Sequence, residues 1–227
     1  MKLFEDLFQV DKGLKSALTE LRKAAPEAAK RVAKHLFTDT LCPWVGNRYA
    51  YNDFLSRHKQ HGIHVSIDLN GFSSLNNNHG HIVGDEALQK YFKISSEVSR
   101  LLKGKNFRVG GDENRLYFGD RHRAEQFTYE LKARLANEKI KDHQLSVSIG
   151  IGYTPDQAET ALKQAKEQLG PTVQHEKVRN FPAGQEPTVI VSLLGEKPPA
   201  HWSPATEQIS KETPKDSMLK IKNPLKP

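Results

Sequence analysis

Two stretches decide how this chain is read: Ile63-His64-Val65-Ser66-Ile67-Asp68-Leu69-Asn70-Gly71-Phe72, and Phe107-Arg108-Val109-Gly110-Gly111-Asp112-Glu113-Asn114-Arg115-Leu116-Tyr117-Phe118. In the first, Ile63, Val65 and Ile67 alternate with His64, Ser66 and Asp68, the period-two pattern of a half-buried strand whose last polar residue is an acid. In the second, residues 107–109 and 115–118 are strand-like runs separated by Gly-Gly-Asp-Glu, which reads as a hairpin with acids at its tip. A strand ending at Asp68 beside a hairpin carrying Asp112 and Glu113 can bring three carboxylates together. Hard carboxylate oxygens in that arrangement suit Mg²⁺. Two such ions about 4 Å apart would activate a 3′-hydroxyl and neutralise a leaving pyrophosphate, the usual solution for nucleotidyl transfer. Gly110 and Gly111 permit a tight turn and the close approach of a phosphate. Taken alone, the tetrapeptide reads by default as a surface turn.

The neighbouring segments extend the alternation. Leu88, Tyr91, Phe92, Val98, Leu101 and Leu102 mark one face of a long helix, and Ala124, Phe127, Leu131 and Leu135 mark another. Val147, Ile149 and Ile151 alternate with Ser146, Ser148 and Gly150 in a further strand. Thr154, Pro155 and Gln157 then form a helix start with a capping-box pattern, and that helix is expected to end at Gly170, before Pro171. Residues 38–170 therefore read as one mixed unit of strands and helices. Residues 1–37 read as a helical prefix, with Leu7, Leu14, Leu18 and Leu21 on one side and a break at Pro26. It lacks the heptads of a coiled coil. Nine of the twelve prolines fall in residues 171–227, where only 188–194 looks like a strand. From about residue 198 the chain is expected to be a mobile or partner-bound arm.

Composition limits the functional classes. With 34 Lys plus Arg against 27 Asp plus Glu the net charge is +7, spread over the prefix, the middle unit and the extension without a concentrated basic patch, so a nucleic-acid partner is not expected. No run approaches the length of a membrane span, and Met1-Lys2-Leu3-Phe4-Glu5-Asp6 lacks the apolar character of a signal peptide. The single cysteine, Cys42, reads as an ordinary thiol and rules out an internal disulfide. The expected location is the cytoplasm.

Asp68-Leu69-Asn70-Gly71-Phe72, then Leu75-Asn76, then Gly80-His81-Ile82-Val83-Gly84-Asp85, then Arg108 through Asn114, stand in an order and spacing that resemble the GGDEF family of diguanylate cyclases. Thr38-Asp39-Thr40-Leu41 and Gly46-Asn47-Arg48 upstream, and residues 146–152 with Ala161-Leu162 and Ala165-Lys166 downstream, look like the opening and closing segments of the same family. The resemblance implies an α+β, palm-like domain with a central, mostly antiparallel sheet flanked by helices. It implies a diguanylate cyclase that condenses two GTP into cyclic di-GMP and two pyrophosphates, one GTP per domain, so that the working unit is a homodimer. By position, Asp68, the backbone of Leu69, Asp112 and Glu113 would hold two Mg²⁺ ions, with Mn²⁺ as a substitute. Asp112 and Glu113 would be the catalytic pair, Glu113 as a metal contact or an aid to deprotonation of the 3′-hydroxyl. Phe72, Gly110, Gly111 and Lys166 would contact substrate, and Asn76 with Asp85 would read the guanine edge, favouring GTP over ATP. Read without the resemblance, Asp85 equally opens a helix, Asn76 is equally a loop residue and Lys166 a solvated lysine. His79 and His81 flank Gly80 but are joined by no cysteine or further histidine, and are not read as metal ligands.

Four positions depart from the family pattern. Asn114 replaces a phenylalanine and shares the register of Leu116 and Phe118, so a buried amide is expected to need partners. Ser73 stands where a lysine is common and Lys163 where a tyrosine is common. Leu169-Gly170-Pro171 follows Lys166 in place of a run containing a phosphate-gripping arginine, so weaker GTP binding is expected. The family's inhibitory Arg-x-x-Asp is also absent, since positions 101–104 read Leu-Leu-Lys-Gly. These departures keep a second reading in view: a catalytically inactive module that binds GTP or serves as a protein-interaction scaffold, with an unidentified protein as partner of the arm. A related enzyme for another nucleotide is a third, disfavoured by Asn76 with Asp85.

Overall fold

The computed structural model describes residues 13–14, 16–58, 62–170, 172–173, 176–177 and 184–195. The expected arm beyond 198 and the start of the prefix lie outside the described residues. Residues 16–24 are helical, and α1 (Pro26–Phe37) follows after a break at Ala25, with Pro26 in the first turn, where its missing N–H costs nothing. The predicted interruption of the prefix is therefore at the predicted proline. A short helix, α2 (Arg48–His58), leads to β1 (Ile63–Leu69).

β1 is the middle strand of a five-stranded sheet in the order β2-β3-β1-β6-β9. β2 (Lys105–Gly110) and β3 (Glu113–Phe118) form the expected hairpin, and β3 pairs antiparallel with β1, Ile63 opposite Phe118 and Ile67 opposite Asn114. β6 (Val147–Gly152) pairs antiparallel with the other side of β1, placing Asp68 opposite Ser148. β9 (Val189–Ser192), from the proline-rich stretch, lies parallel to β6 as the edge strand. Short hairpins β4–β5 (Lys139–Ile140, His143–Gln144) and β7–β8 (Thr172–Val173, Glu176–Lys177) complete the described strands.

Side-chain alternation assigns the two faces. Ile63, Val65, Ile67 and Leu69 of β1 join Val147, Ile149 and Ile151 of β6 in a core covered by α4 (His81–Leu101) and α5 (Arg121–Leu135), which contribute Leu88, Tyr91, Phe92, Val98, Phe127 and Leu131. The other face was expected to be open, but His64 and Ser66 are as buried as their apolar neighbours. The cover is α6 (Pro155–Glu167), whose Ala158, Ala161, Leu162 and Ala165 lie on β6. Contact is that close because Gly150 and Gly152 carry no Cβ; one on Gly150 would stand 2.1 Å from Leu162 N and 2.2 Å from Ala158 O. Thr154 caps α6 by accepting from Gln157 N at 3.2 Å; the helix ends at Glu167, three residues before the expected Gly170, and a final turn closes where Gly170 N donates to Glu167 O. Cys42 is fully buried, and burial pushes its thiol up to about 12, which makes it inert. Among the described residues no helix is long and apolar enough to cross a membrane.

Candidate active site

The chain turns sharply at the end of β1. Gly71 adopts φ +67°, in the left-handed region, and α3 (Phe72–His79) starts immediately after it without a side-chain cap. Its first N–H groups thus have no side-chain acceptor beside a cavity of about 640 Å³. Asp68, Leu69, Phe72, Asp112 and Lys166 all line that cavity, together with Ser73, Lys163 and Glu186. Strand β1, the hairpin tip, the first turn of α3 and the last turn of α6 thereby meet where the sequence predicts a phosphate and metal site.

The two acids across this space are electrostatically linked. Burial, and then the negative charge of Asp68, push the Asp112 carboxyl up to about 6, with Lys166 pulling the other way. Lys166 Nζ lies 2.6 Å from Asp68 Oδ2, so the lysine expected to meet phosphate is here an ion-pair partner of the expected metal ligand. The tip that carries Asp112 is braced from outside. Arg108 donates to Gly111 O at 2.8 Å and to Asp39 Oδ1 at 3.0 Å, and Arg48 Nε donates to Val109 O. A side chain on Gly110 would meet the Arg48 guanidinium at 2.9 Å.

The remaining predicted residues stand apart from the cavity. Glu113 opens β3 with its carboxylate beside Gly110 and is not among the residues lining the cavity, while its charge still acts on Asp112. Asp112 itself lies in the turn ahead of the strand. Among the described residues no three His, Cys, Asp or Glu side chains converge closely enough to hold one metal ion. Gly111, at φ +27°, has open space around it. Asn76, on α3, packs its side chain against α4, its Oδ1 only 1.9 Å from where a Cβ on Gly84 would stand. That oxygen is buried without a hydrogen-bond partner, and Asp85, the next residue after Gly84, is exposed. The amide and carboxylate expected to read guanine are thus adjacent, outside the cavity lining. His79 pairs with Asp142 at 2.9 Å, a surface contact.

Asn70, His143 and Glu186 were not singled out by the sequence. Asn70 is 4% exposed and satisfies its amide in full, donating to Ser146 Oγ and Pro187 O and accepting from Ser148 Oγ at 2.8 Å. It thereby ties the β1–α3 turn to β6 and to the segment entering β9. His143 Nε2 lies 3.2 Å from Asn70 O, and Glu186, which accepts from Gly184 N at 2.7 Å, walls the cavity beside Gly71. These contacts join residues 73 and 117 positions apart, so no local pattern announces them.

The donor set fits the expected metal. Mg²⁺ is typically held by one or two carboxylates plus phosphate and water oxygens, and Asp68, Asp112 and the Leu69 carbonyl are hard oxygens on one cavity.

The chain is 30% identical over 119 residues to the probable diguanylate cyclase DgcI of Escherichia coli (strain K12), covering 52% of this chain and 26% of that protein. It is 28% identical over 155 residues to the signaling protein YkoW of Bacillus subtilis (strain 168), covering 62% and 19%. It spans only a minor part of either relative. In fold it matches the coiled coil and GGDEF domain of DgcB from Caulobacter crescentus, solved in complex with c-di-GMP, with a TM-score of 0.56 at 18% identity over 81% of this chain and 98% of that one. It also matches the diguanylate cyclase SiaD from Pseudomonas aeruginosa, solved with its activator SiaC, with a TM-score of 0.54 at 17% identity over 74% and 72%. The family described as diguanylate cyclase, GGDEF domain, matches residues 47–177, more than half of the sequence, taking in the hairpin, α6 and every residue lining the cavity except Glu186, and the chain belongs to that family.

Proposed function

We propose that this protein is a diguanylate cyclase that joins two GTP molecules into cyclic di-GMP, releasing two pyrophosphates. The observation that carries the reading is the placement of Asp68 and Asp112 on one cavity, where burial and then the Asp68 charge raise the Asp112 carboxyl, beneath the uncapped start of α3. Mg²⁺ held by these carboxylates and the Leu69 carbonyl would supply the positive charge that activates the 3′-hydroxyl and stabilises the departing pyrophosphate. The chain's own groups do the rest. The first N–H groups of α3 donate to the phosphate oxygens, Lys166 moves from Asp68 to the phosphates, and Asn76 with Asp85 holds the guanine edge beside Gly84. Glu113 acts from beside Gly110, as a further metal contact or as an aid to deprotonation of the 3′-hydroxyl. Each domain holds one GTP, and two copies face each other for the reciprocal attack of each 3′-hydroxyl on the other's α-phosphate. The cytoplasm, where GTP and Mg²⁺ are found, is the proposed setting.

A second reading is an inactive module that binds GTP or a protein. The Lys166–Asp68 ion pair and the position of Glu113 outside the cavity lining favour it, together with Ser73 at the cavity wall. Incubation with GTP, ATP and Mg²⁺, with products read by mass spectrometry against Asp112→Ala, separates the two. Cyclic di-GMP from GTP alone, lost in the variant, is the expected result. Absence of product at concentrations that sustain a dimer would refute the cyclase.

A further inference from the structure

Asn114 is fully buried, yet it stands in a polar row. Its Nδ2 lies 3.0 Å from Tyr91 Oη and 2.9 Å from Ser95 Oγ, and Asn106 Nδ2 lies 3.0 Å from the same Ser95 Oγ and 3.2 Å from Ser99 Oγ. Ser99 in turn donates to Ser96 O. Tyr91, Ser95 and Ser99 recur at intervals of four along α4, which sets them in one stripe of the helix. Asn106 and Asn114 are diagonal neighbours across the β2–β3 hairpin, since Asn106 pairs with Leu116 and Arg108 with Asn114. The row is thus a hydrogen-bonded seam between the hairpin and α4, inside an otherwise apolar core.

Its position gives it a role. Asn114 is two residues from Asp112 and pairs in register with Ile67, the neighbour of Asp68. Tyr91 Oη is close enough to both acids for their charges to act on it. We propose that Asn114, Tyr91 and Ser95 are a positioning set for the Asp68–Asp112 pair, the hydroxyls of α4 being what accommodates the buried amide at 114. The proposal deepens the metal-dependent reading above by naming what fixes the distance between its two carboxylates. A phenylalanine at 114 would remove the amide, leave two buried hydroxyls without it and drive a larger side chain into a position with no free surface. Relief would come by moving the hairpin off α4, and Asp112 moves with the hairpin.

The test reads Mn²⁺ affinity by direct titration, and melting temperature, for the full chain and for Tyr91→Phe, Ser95→Ala, Asn114→Ala and Asn114→Phe. Tyr91→Phe deletes one oxygen and adds no volume, so it keeps the fold accessible if Asn114→Phe does not fold. The expected results are a Mn²⁺ affinity lowered about threefold or more by Tyr91→Phe and by Asn114→Ala, with little further loss in the double variant because the two act through one hydrogen bond. Asn114→Phe is expected to lower the melting temperature by about 5 °C or more. Unchanged Mn²⁺ affinity in Tyr91→Phe and Asn114→Ala, whatever happens to the melting temperature, would reduce the seam to ordinary packing and overturn the proposal. So would independent, additive effects. A parent protein that binds no Mn²⁺ would overturn the metal site and this proposal together, whereas Mn²⁺ binding indifferent to Tyr91 overturns the positioning set alone.

Discussion

Lys166→Met is expected to move metal binding and nucleotide binding in opposite directions. Without ligand, the Lys166 ammonium sits 2.6 Å from Asp68 Oδ2, so a divalent ion that takes this carboxylate must first displace it. At an effective dielectric of about 20, unit charges about 3 Å apart attract by about 5 kcal/mol. The Lys166 side chain keeps 42% of its exposure against 15% for Asp68, and solvent screening with lost side-chain freedom reduces the net value to about 1 kcal/mol. Removing the ammonium should therefore tighten Mn²⁺ or Mg²⁺ binding to the nucleotide-free protein by about fivefold. The same lysine, once released, is with Lys163 one of two cations on the cavity available to phosphates, and a lost charge-assisted hydrogen bond of about 1.5–3 kcal/mol is expected to weaken GTP binding in the presence of metal by about 10-fold to 150-fold. Metal titration by calorimetry or Mn²⁺ electron paramagnetic resonance, followed by nucleotide titration at saturating metal, reads both. Metal affinity unchanged or lowered in Lys166→Met would refute the displacement argument, because an ammonium that does not compete for Asp68 cannot have been occupying the metal's place.

Metal affinity should also fall with pH below about 6, because a proton then competes for Asp112, whose carboxyl burial and Asp68 hold up to about 6; each further pH unit costs up to about tenfold, and the dependence should vanish in Asp112→Asn. In the metal-free protein the same raised carboxyl favours the folded state at low pH and loses that contribution as pH rises through about 6, so the melting-temperature difference between the parent and Asp112→Asn should shift toward the parent on acidification. Gly150→Ala should destabilise the fold by about 3 kcal/mol or more, read by denaturant titration, since its Cβ would stand 2.1 Å from backbone nitrogen of α6, the helix that delivers Lys166. Asp85→Asn should weaken GTP binding by about tenfold or more while leaving ATP binding where it was, which a competition titration with both nucleotides will show.

The sheet and the acids were legible because both depend on local signals. Period-two alternation at residues 63–69 and 147–152 put the strands in place, Pro26 and Gly170 punctuated the helices, and the Asp68 and Asp112 positions followed from strand ends. What the sequence concealed was set by partners far along the chain. The second face of β1 read as open because His64 and Ser66 are polar, and only the packing of α6 onto Gly150 and Gly152 closes it. Glu113 read as a third cavity acid because adjacent residues in a motif look co-located, whereas Asp112 sits in the turn and Glu113 opens β3 with its carboxylate beside Gly110. Asn114 read as a burden on an apolar face, and its Nδ2 is relieved by Tyr91 and Ser95, hydroxyls that fall inside a helix stripe read only for its apolar members, while its Oδ1 stays buried without a partner.

The charge lining the cavity binds these departures into one consequence. Asp68, Asp112, Glu167 and Glu186 face Lys163 and Lys166 there, so the lining carries more acid than base even before a nucleotide enters. Ser73 supplies no charge, Lys166 is already engaged with Asp68, and Glu186 arrives on a segment beyond the residues that match the family. A polyphosphate brought into such a lining meets net repulsion unless cations come with it. Divalent metal is therefore expected to be required for nucleotide binding as well as for the chemistry proposed, and selection among ligands is expected to rest on the two features that do not depend on charge balance: the backbone N–H groups at the start of α3, and the Asn76 amide held against Gly84.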